Sequence, residues 1–197
     1  LAIPRAFLEG MPFDEETLDA YELGVKSTLF GGRTTLNGAA FYYDYHDYQA
    51  FAQFGPVQTV INLDANLAGL EAELVARPVD ALTLQLSGSL LDSTVKDVPP
   101  PDGVTIEDHD LPQAPGVSAS ALARYDFALG AGKLGVQADV QYSGSFCFTV
   151  LCAPVEHEDA YTVANARIGY DSDSGRWGVA AFVNNLFEEK YRVYAFD

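Results

Sequence analysis

Alternation of apolar and polar residues with a period of two recurs so regularly along this chain that it sets the class of structure open to it. From Leu82 to Thr94, Leu82, Leu84, Leu86, Gly88 and Leu90 share one face and Thr83, Gln85, Ser87 and Ser89 the other. Within Lys133 to Ser145, Leu134, Val136, Ala138, Val140 and Tyr142 oppose Gly135, Gln137, Asp139, Gln141 and Ser143. Val117 to Ala128 places Arg124 on its polar side, and Asn66 to Arg77 places Glu71 and Glu73 there. Tyr161 to Asp171, which carries Arg167, and Trp177 to Asn185 alternate more weakly. Leu18 to Leu29 and Thr34 to Tyr48 bring the expected strands to about eight, and the pattern of the latter leaves its inward face unassigned.

The connections alternate between short and long. Phe30–Arg33, Pro78–Ala81, Leu129–Gly132 and Asp171–Gly175 have tight-turn chemistry, whereas Asp47–Leu63, Val95–Gly116 and Gly144–Asp159 read as long loops. Tight turns at one rim and long loops at the other are the layout of an outer-membrane barrel meander. Strands of about 11 to 14 residues suit a tilted span, since about 9 to 11 cross the apolar layer. Hydrocarbon offers no partner for a backbone amide, so a sheet persists there only within a closed barrel, apolar outside and polar inside. Phe30, Tyr125, Phe127, Tyr142, Tyr170 and Trp177, near strand ends, then fall at the two interfaces. A soluble β-sandwich also alternates, but its strands run about 5 to 6 residues and lack this loop rhythm.

Composition closes other routes. With 48% apolar residues, and 28 acidic against 11 basic for a formal charge of -17, the chain is too apolar for a disordered acidic tail and too acidic for a nucleic-acid partner. No stretch of about 18 residues is continuously apolar, which excludes a helical span. Cys147 and Cys152 lie five apart with no second pair, a spacing that argues against zinc and for a small loop disulfide in an oxidising compartment, with two thiols as the alternative. Leu1 is not an initiator Met and Leu1–Gly10 has no signal-peptide pattern, so the chain reads as an internal piece of something longer.

Four stretches carry a family resemblance. Glu16-Thr17-Leu18-Asp19-Ala20-Tyr21-Glu22-Leu23-Gly24-Val25-Lys26, followed by Asn37-Gly38-Ala39-Ala40-Phe41-Tyr42-Tyr43-Asp44-Tyr45, closely resembles a segment of TonB-dependent outer-membrane receptors. Leu67-Ala68-Gly69-Leu70-Glu71-Ala72-Glu73 before Arg77-Pro78, and Phe182-Val183-Asn184-Asn185-Leu186-Phe187-Glu188-Glu189-Lys190-Tyr191, look like the hairpin and the near-terminal motif of that family, in the same order. The resemblance implies an all-β, antiparallel transmembrane β-barrel: about eight strands of a larger, 22-stranded one. Residues 1–197 would form the C-terminal portion of that barrel, with plug domain, signal peptide and last strand absent, since the chain stops at Phe196-Asp197 soon after the motif.

The resemblance further implies active import of a scarce solute, a ferric siderophore or other iron complex, with energy relayed by TonB. It implies no enzyme and no cofactor. Partners would be outer-membrane lipid and lipopolysaccharide, with TonB and the solute for the full-length protein. A different class is a complete eight-stranded barrel with an adhesion or structural role, which requires its first and last strands to pair.

No catalytic constellation stands in the sequence: there is no GxSxG elbow, HExxH pair or phosphate-cradling loop. His46, His109 and His157 fall in the expected long loops, as weak ligand candidates or simply solvated histidines. Asp171-Ser172-Asp173-Ser174-Gly175 begins like a calcium loop but has Phe182 at the twelfth position, so it reads as a polar turn. Glu107, Asp108 and Asp110, then Glu156, Glu158 and Asp159, read as solvated loop charge. Pro99-Pro100-Pro101 stiffens a surface loop. Glu71, Glu73, Arg124, Asp139 and Arg167 are the lumen-facing polar candidates.

Overall fold

The computed structural model describes residues 13–54, 57–99 and 106–195; Leu1–Gly10, Pro100-Pro101 and Phe196-Asp197 lie outside them. Eight long strands form one antiparallel meander: β1 (Thr17–Leu29), β2 (Thr34–Phe54), β3 (Val57–Ala76), β4 (Leu82–Val98), β6 (Val117–Ala128), β7 (Gly132–Ser143), β10 (Tyr161–Ser172) and β11 (Gly178–Val183), each paired with the next. Between them, β5 (Glu107–His109) pairs with the end of β4, and β8 (Phe146–Cys147) pairs with β9 (His157–Glu158) in a separate two-stranded sheet. β1 and β11 stand at opposite ends, so the sheet is open.

Opposite residues of an antiparallel ladder share a face, so the register sorts the side chains. One face carries Leu23, Ala40, Leu70 and Leu90 in a single cross-strand row. Further along it come Ala123, Ala138, Ala166 and Val183. These side chains meet no second layer: Leu23 is 79% and Val179 64% exposed. An apolar face of this extent needs an apolar neighbour, which lipid provides. Aromatics rim it at the tight-turn end, where the Tyr125 and Phe127 rings lie 4.6 Å apart and Tyr170 and Trp177 5.3 Å apart.

The tight turns use left-handed glycines, Gly31, Gly130 and Gly175. Neighbouring turns are linked: Arg33 Nη2 pairs with Asp80 Oδ1 at 2.8 Å, and the Asp173 N–H donates to the Ala131 carbonyl at 2.9 Å. The other rim departs from expectation. Asp47–Leu63 is no open loop, because β2 and β3 run on through it and pair out to Phe54 and Val57. At about 3.3 Å per residue, strands of 21 and 20 residues reach about 70 Å, far beyond the apolar band. A bulge between Tyr45 and Tyr48 shifts the alternation by one, which disguises the continuation in the sequence.

Above the membrane band the described residues form a compact core: Ala50, Ala65, Val95, Val98 and Val150 are buried, with Tyr45, Tyr48, Ile61, Leu63, Leu111 and Leu151 packed around them. The three supposed loops therefore pack together in place of standing free in water.

Candidate functional site

The register gathers the polar positions on the face opposite the apolar one. Glu71 lies between Ala39 and Ser89, and Glu73 between Asn37 and Ser87. Arg124 stands opposite Gln137, which stands opposite Arg167 on the next strand. Asp139 lies between Leu122 and Asn165. All five polar candidates thus share one face. The register also gives β2 its inward side, Asn37, Ala39, Phe41 and Tyr43, so that two aromatic rings join the polar wall.

Across β1–β7 this face encloses an open groove of about 830 Å³, bordered by Glu22, Lys26, Glu71, Glu73 and Gln141, with Ser87, Ser89, Ser118 and Ser120 as its floor. The serines leave room where longer side chains would fill it. Asn37 Nδ2 donates to Glu73 Oε2 at 3.2 Å, the Tyr43 hydroxyl donates to Glu22, and the Ser87 and Ser120 hydroxyls meet at 2.8 Å. Acid therefore dominates this half.

The other half holds the arginines. Arg124 grips Asp126 through Nε and Nη2 at 3.1 and 2.9 Å, a two-point contact across alternate residues of one strand. Its guanidinium lies over Gly135, and that of Arg167 over Gly169; these glycines are direct cross-strand partners. A Cβ at Gly135 would stand 2.8 Å from Arg124 Nη2. Gly69 likewise lies under the Phe41 ring, its cross-strand partner. Asp139 accepts from Asn165 Nδ2 at 2.6 Å and from Gln137 Nε2 at 3.4 Å. Nothing in the sequence alone marks Asn165 or the pairing of Gly135 with Gly169, whereas Gly69 falls in the hairpin motif.

The histidines stand on different elements. His46, opposite Thr17 and on the apolar side, lies 3.8 Å from Asp19 Oδ2; His109 is opposite Val95; His157 lies 3.7 Å from Asp159 Oδ1. Among the described residues no group of three or more His, Cys, Asp or Glu side chains is arranged to hold a metal. Cys147 and Cys152 are bonded in the structure, Cα atoms 5.2 Å apart. Glu156 and Glu158 are not the solvated charges expected: both are buried. Glu156 accepts from Thr149 Oγ1 at 2.6 Å and from the Ala153 N–H at 3.0 Å, and Glu158 faces Arg192 at 3.4 Å. Burial is tolerated because Glu156 meets donors within its own loop and Glu158 meets Arg192 from the stretch beyond β11.

Comparison with known proteins agrees with this geometry. Residues 5–186 match the family model described as TonB dependent receptor-like, beta-barrel. The fold is similar to that of the ferric yersiniabactin uptake receptor FyuA from Yersinia pestis, at 22% identity and TM-score 0.75 over 92% of this chain and 26% of that one. It is also similar to the ferric-catecholate import receptor Fiu from E. coli K12, at 22% identity and TM-score 0.67 over 91% and 24%. The copper transporter OprC matches at 15% identity and TM-score 0.67 over 92% and 27%. The chain therefore spans about a quarter of the length of these structures. With an apolar outer face, a polar inner face and a family match over most of its length, the chain belongs to the TonB-dependent receptor family, as part of the β-barrel that these receptors place in the bacterial outer membrane.

Proposed function

We propose that the protein to which this barrel portion belongs imports a scarce solute across the outer membrane with energy relayed by TonB, and that the solute is a ferric siderophore or related iron complex. The observation that carries the reading is the polar face, which backs a lipid-compatible sheet with a groove of about 830 Å³ and no catalytic grouping among the residues described above. Glu71, Glu73, Arg124, Asp139 and Arg167 would line the solute path or face a plug. Import without bond chemistry asks of a wall only polarity and room. FyuA and Fiu are named for ferric-siderophore uptake, which supports the cargo class; OprC is named for copper, which shows how the same fold accompanies another metal.

The alternative of a complete eight-stranded barrel needs β1 to pair with the last strand, and β1 and β11 lie at opposite ends of the open sheet. The test is uptake of radio-iron-labelled catecholate and hydroxamate siderophores by iron-starved bacteria carrying the full-length protein, with and without TonB. TonB-dependent accumulation supports the proposal. An assembled barrel that accumulates none of these complexes overturns the iron cargo, and accumulation equal without TonB overturns the energy coupling.

A further inference from the structure

Beyond the polar band, the groove-side face of the sheet turns apolar and is covered. Val150 is 1% exposed and packs with Ala50 of β2, Ala65 of β3, and Val95 and Val98 of β4. It sits inside the short loop closed by the Cys147–Cys152 bond. Two other stretches are fastened to that loop and its flank. Gln113, beyond β5, donates its N–H to the Cys147 carbonyl at 2.8 Å. Glu156, on the loop's own flank, closes it a second time through Thr149 and Ala153. Arg192, beyond β11, donates through Nη1 to the Val155 and His157 carbonyls at 2.8 and 2.9 Å, and its N–H donates to Glu158 Oε1 at 3.2 Å.

We propose that the disulfide-closed loop Cys147–Cys152 is a strap that joins the stretches following β5, β7 and β11 into one cap, seated on the extended ends of β2, β3 and β4, so that they leave that seat together and not one by one. Val150 and Leu111 bring the stretches after β7 and β5 to one buried cluster, the stretch after β11 joins through Arg192 and the Phe148–Tyr194 ring contact, and the covalent closure holds the loop in shape. Local opening then acts on a contiguous cooperative unit. The import reading enters only in the consequence, that a solute meets a single barrier moving as a body. The coupling itself is independent of that reading and is tested with no solute present.

Hydrogen–deuterium exchange of the full-length protein in detergent tests it, comparing wild type with Cys147→Ser/Cys152→Ser and with Val150→Ala. The expected result is that the Gln113 and Arg192 amides, on residues that neither change alters, exchange about tenfold faster together with that of Phe148, in Val150→Ala as in the double-serine protein. Acceleration confined to residues 146–158, with Gln113 and Arg192 at wild-type rates, overturns the proposal. Val150→Ala removes only two methyl groups and decides alone should the double-serine protein fail to assemble.

Discussion

Asp47 and Asp97 occupy matching places in the sheet: each is the second residue of a bulge and each holds left-handed backbone, with φ 56° and 55°. In both strands two residues oppose one, His46 and Asp47 against Asp64, and Lys96 and Asp97 against Asp108. The extra residue shifts the alternation so that Tyr48, Ala50 and Val98 stay on the side of Tyr45 and Val95. Aspartate tolerates this backbone, and each site is fastened: Asn62 Nδ2 donates to the Asp47 carbonyl at 2.7 Å, and the Asp97 N–H donates to Asp108 Oδ1 at 3.1 Å.

Replacing Asp47 with Val should therefore cost about 1–2 kcal/mol, the penalty of a β-branched residue in left-handed backbone, whereas Asp47→Asn should be nearly neutral. Deleting Asp47 should do more, since it turns Tyr48, Ala50 and Ala52 to the opposite face and strips the core of one wall. Protease resistance of the hairpin in the assembled protein reads all three changes. A deletion variant as resistant as wild type would show that the bulge does not set the packing.

The membrane-crossing part was legible because solvent imposes one rule on it: lipid outside and water inside leave a period of two with nothing to interrupt it. Leu82–Leu90 and Leu134–Tyr142 fall on the face expected of them. Beyond the band the rule changes, because Ala50 is buried and Tyr48 and Ile61 are partly buried against other loops, and the phase slips at Asp47. A reader of the sequence sees broken alternation there and infers a loop. The partners of Glu158 and Asn165 were hidden for a related reason: Arg192 lies 34 residues from Glu158 and Asp139 lies 26 from Asn165, so each contact depends on what distant segments bring together, and neither residue belongs to a recognisable spacing.

Arg192 and Glu158 form an ion pair that is wet on one side and dry on the other, the arginine half exposed and the carboxylate buried, with Oε2 3.4 Å from Nε. Removing the arginine leaves a buried carboxylate without its cation, which costs more than the pair contributes. Arg192→Leu should destabilise the cap by about 2–3 kcal/mol, and Arg192→Leu/Glu158→Leu should recover most of that loss. A double-mutant cycle on chemical denaturation midpoints checks this. Equal loss in the single and double variants would mean that the carboxylate is satisfied without Arg192.

Tyr48 gives the outer hairpin a dependence on alkaline pH. Burial raises its phenol above the usual value of 10.0, with Glu16 and Tyr45 adding to the shift. A phenol that ionises later in the folded than in the unfolded protein contributes stability that is complete below the unfolded value and is lost as pH climbs from about 10 through the folded value. Protease resistance of the hairpin should fall over that window in wild type, and the Tyr48→Phe protein should lack that component. An unchanged alkaline transition in Tyr48→Phe would assign the loss to other groups.

Asn165 of β10 joins β7 to the turn after β11, just past the last rung of the β10–β11 ladder at Ala166 and Val183. Its Nδ2 donates to Asp139 Oδ2 on β7 at 2.6 Å, while its Oδ1 accepts the Asn185 N–H at 2.9 Å, just beyond β11. Asn185, itself left-handed at φ 52°, then clips Glu189 in both directions at 2.8 Å. An amide suits the site because it offers a donor to one neighbour and an acceptor to the other at once. Asn165→Asp keeps the acceptor but sets a second carboxylate against Asp139, and Asn165→Leu supplies neither group. Both should loosen the turn after β11, by about 1–3 kcal/mol, with faster amide exchange at Asn185 and Glu189 and little change at the tight turns. Exchange at Asn185 that is indifferent to Asn165→Leu would show that the Leu186 N–H, which donates to the Ala164 carbonyl at 2.7 Å, holds the turn without the side chain.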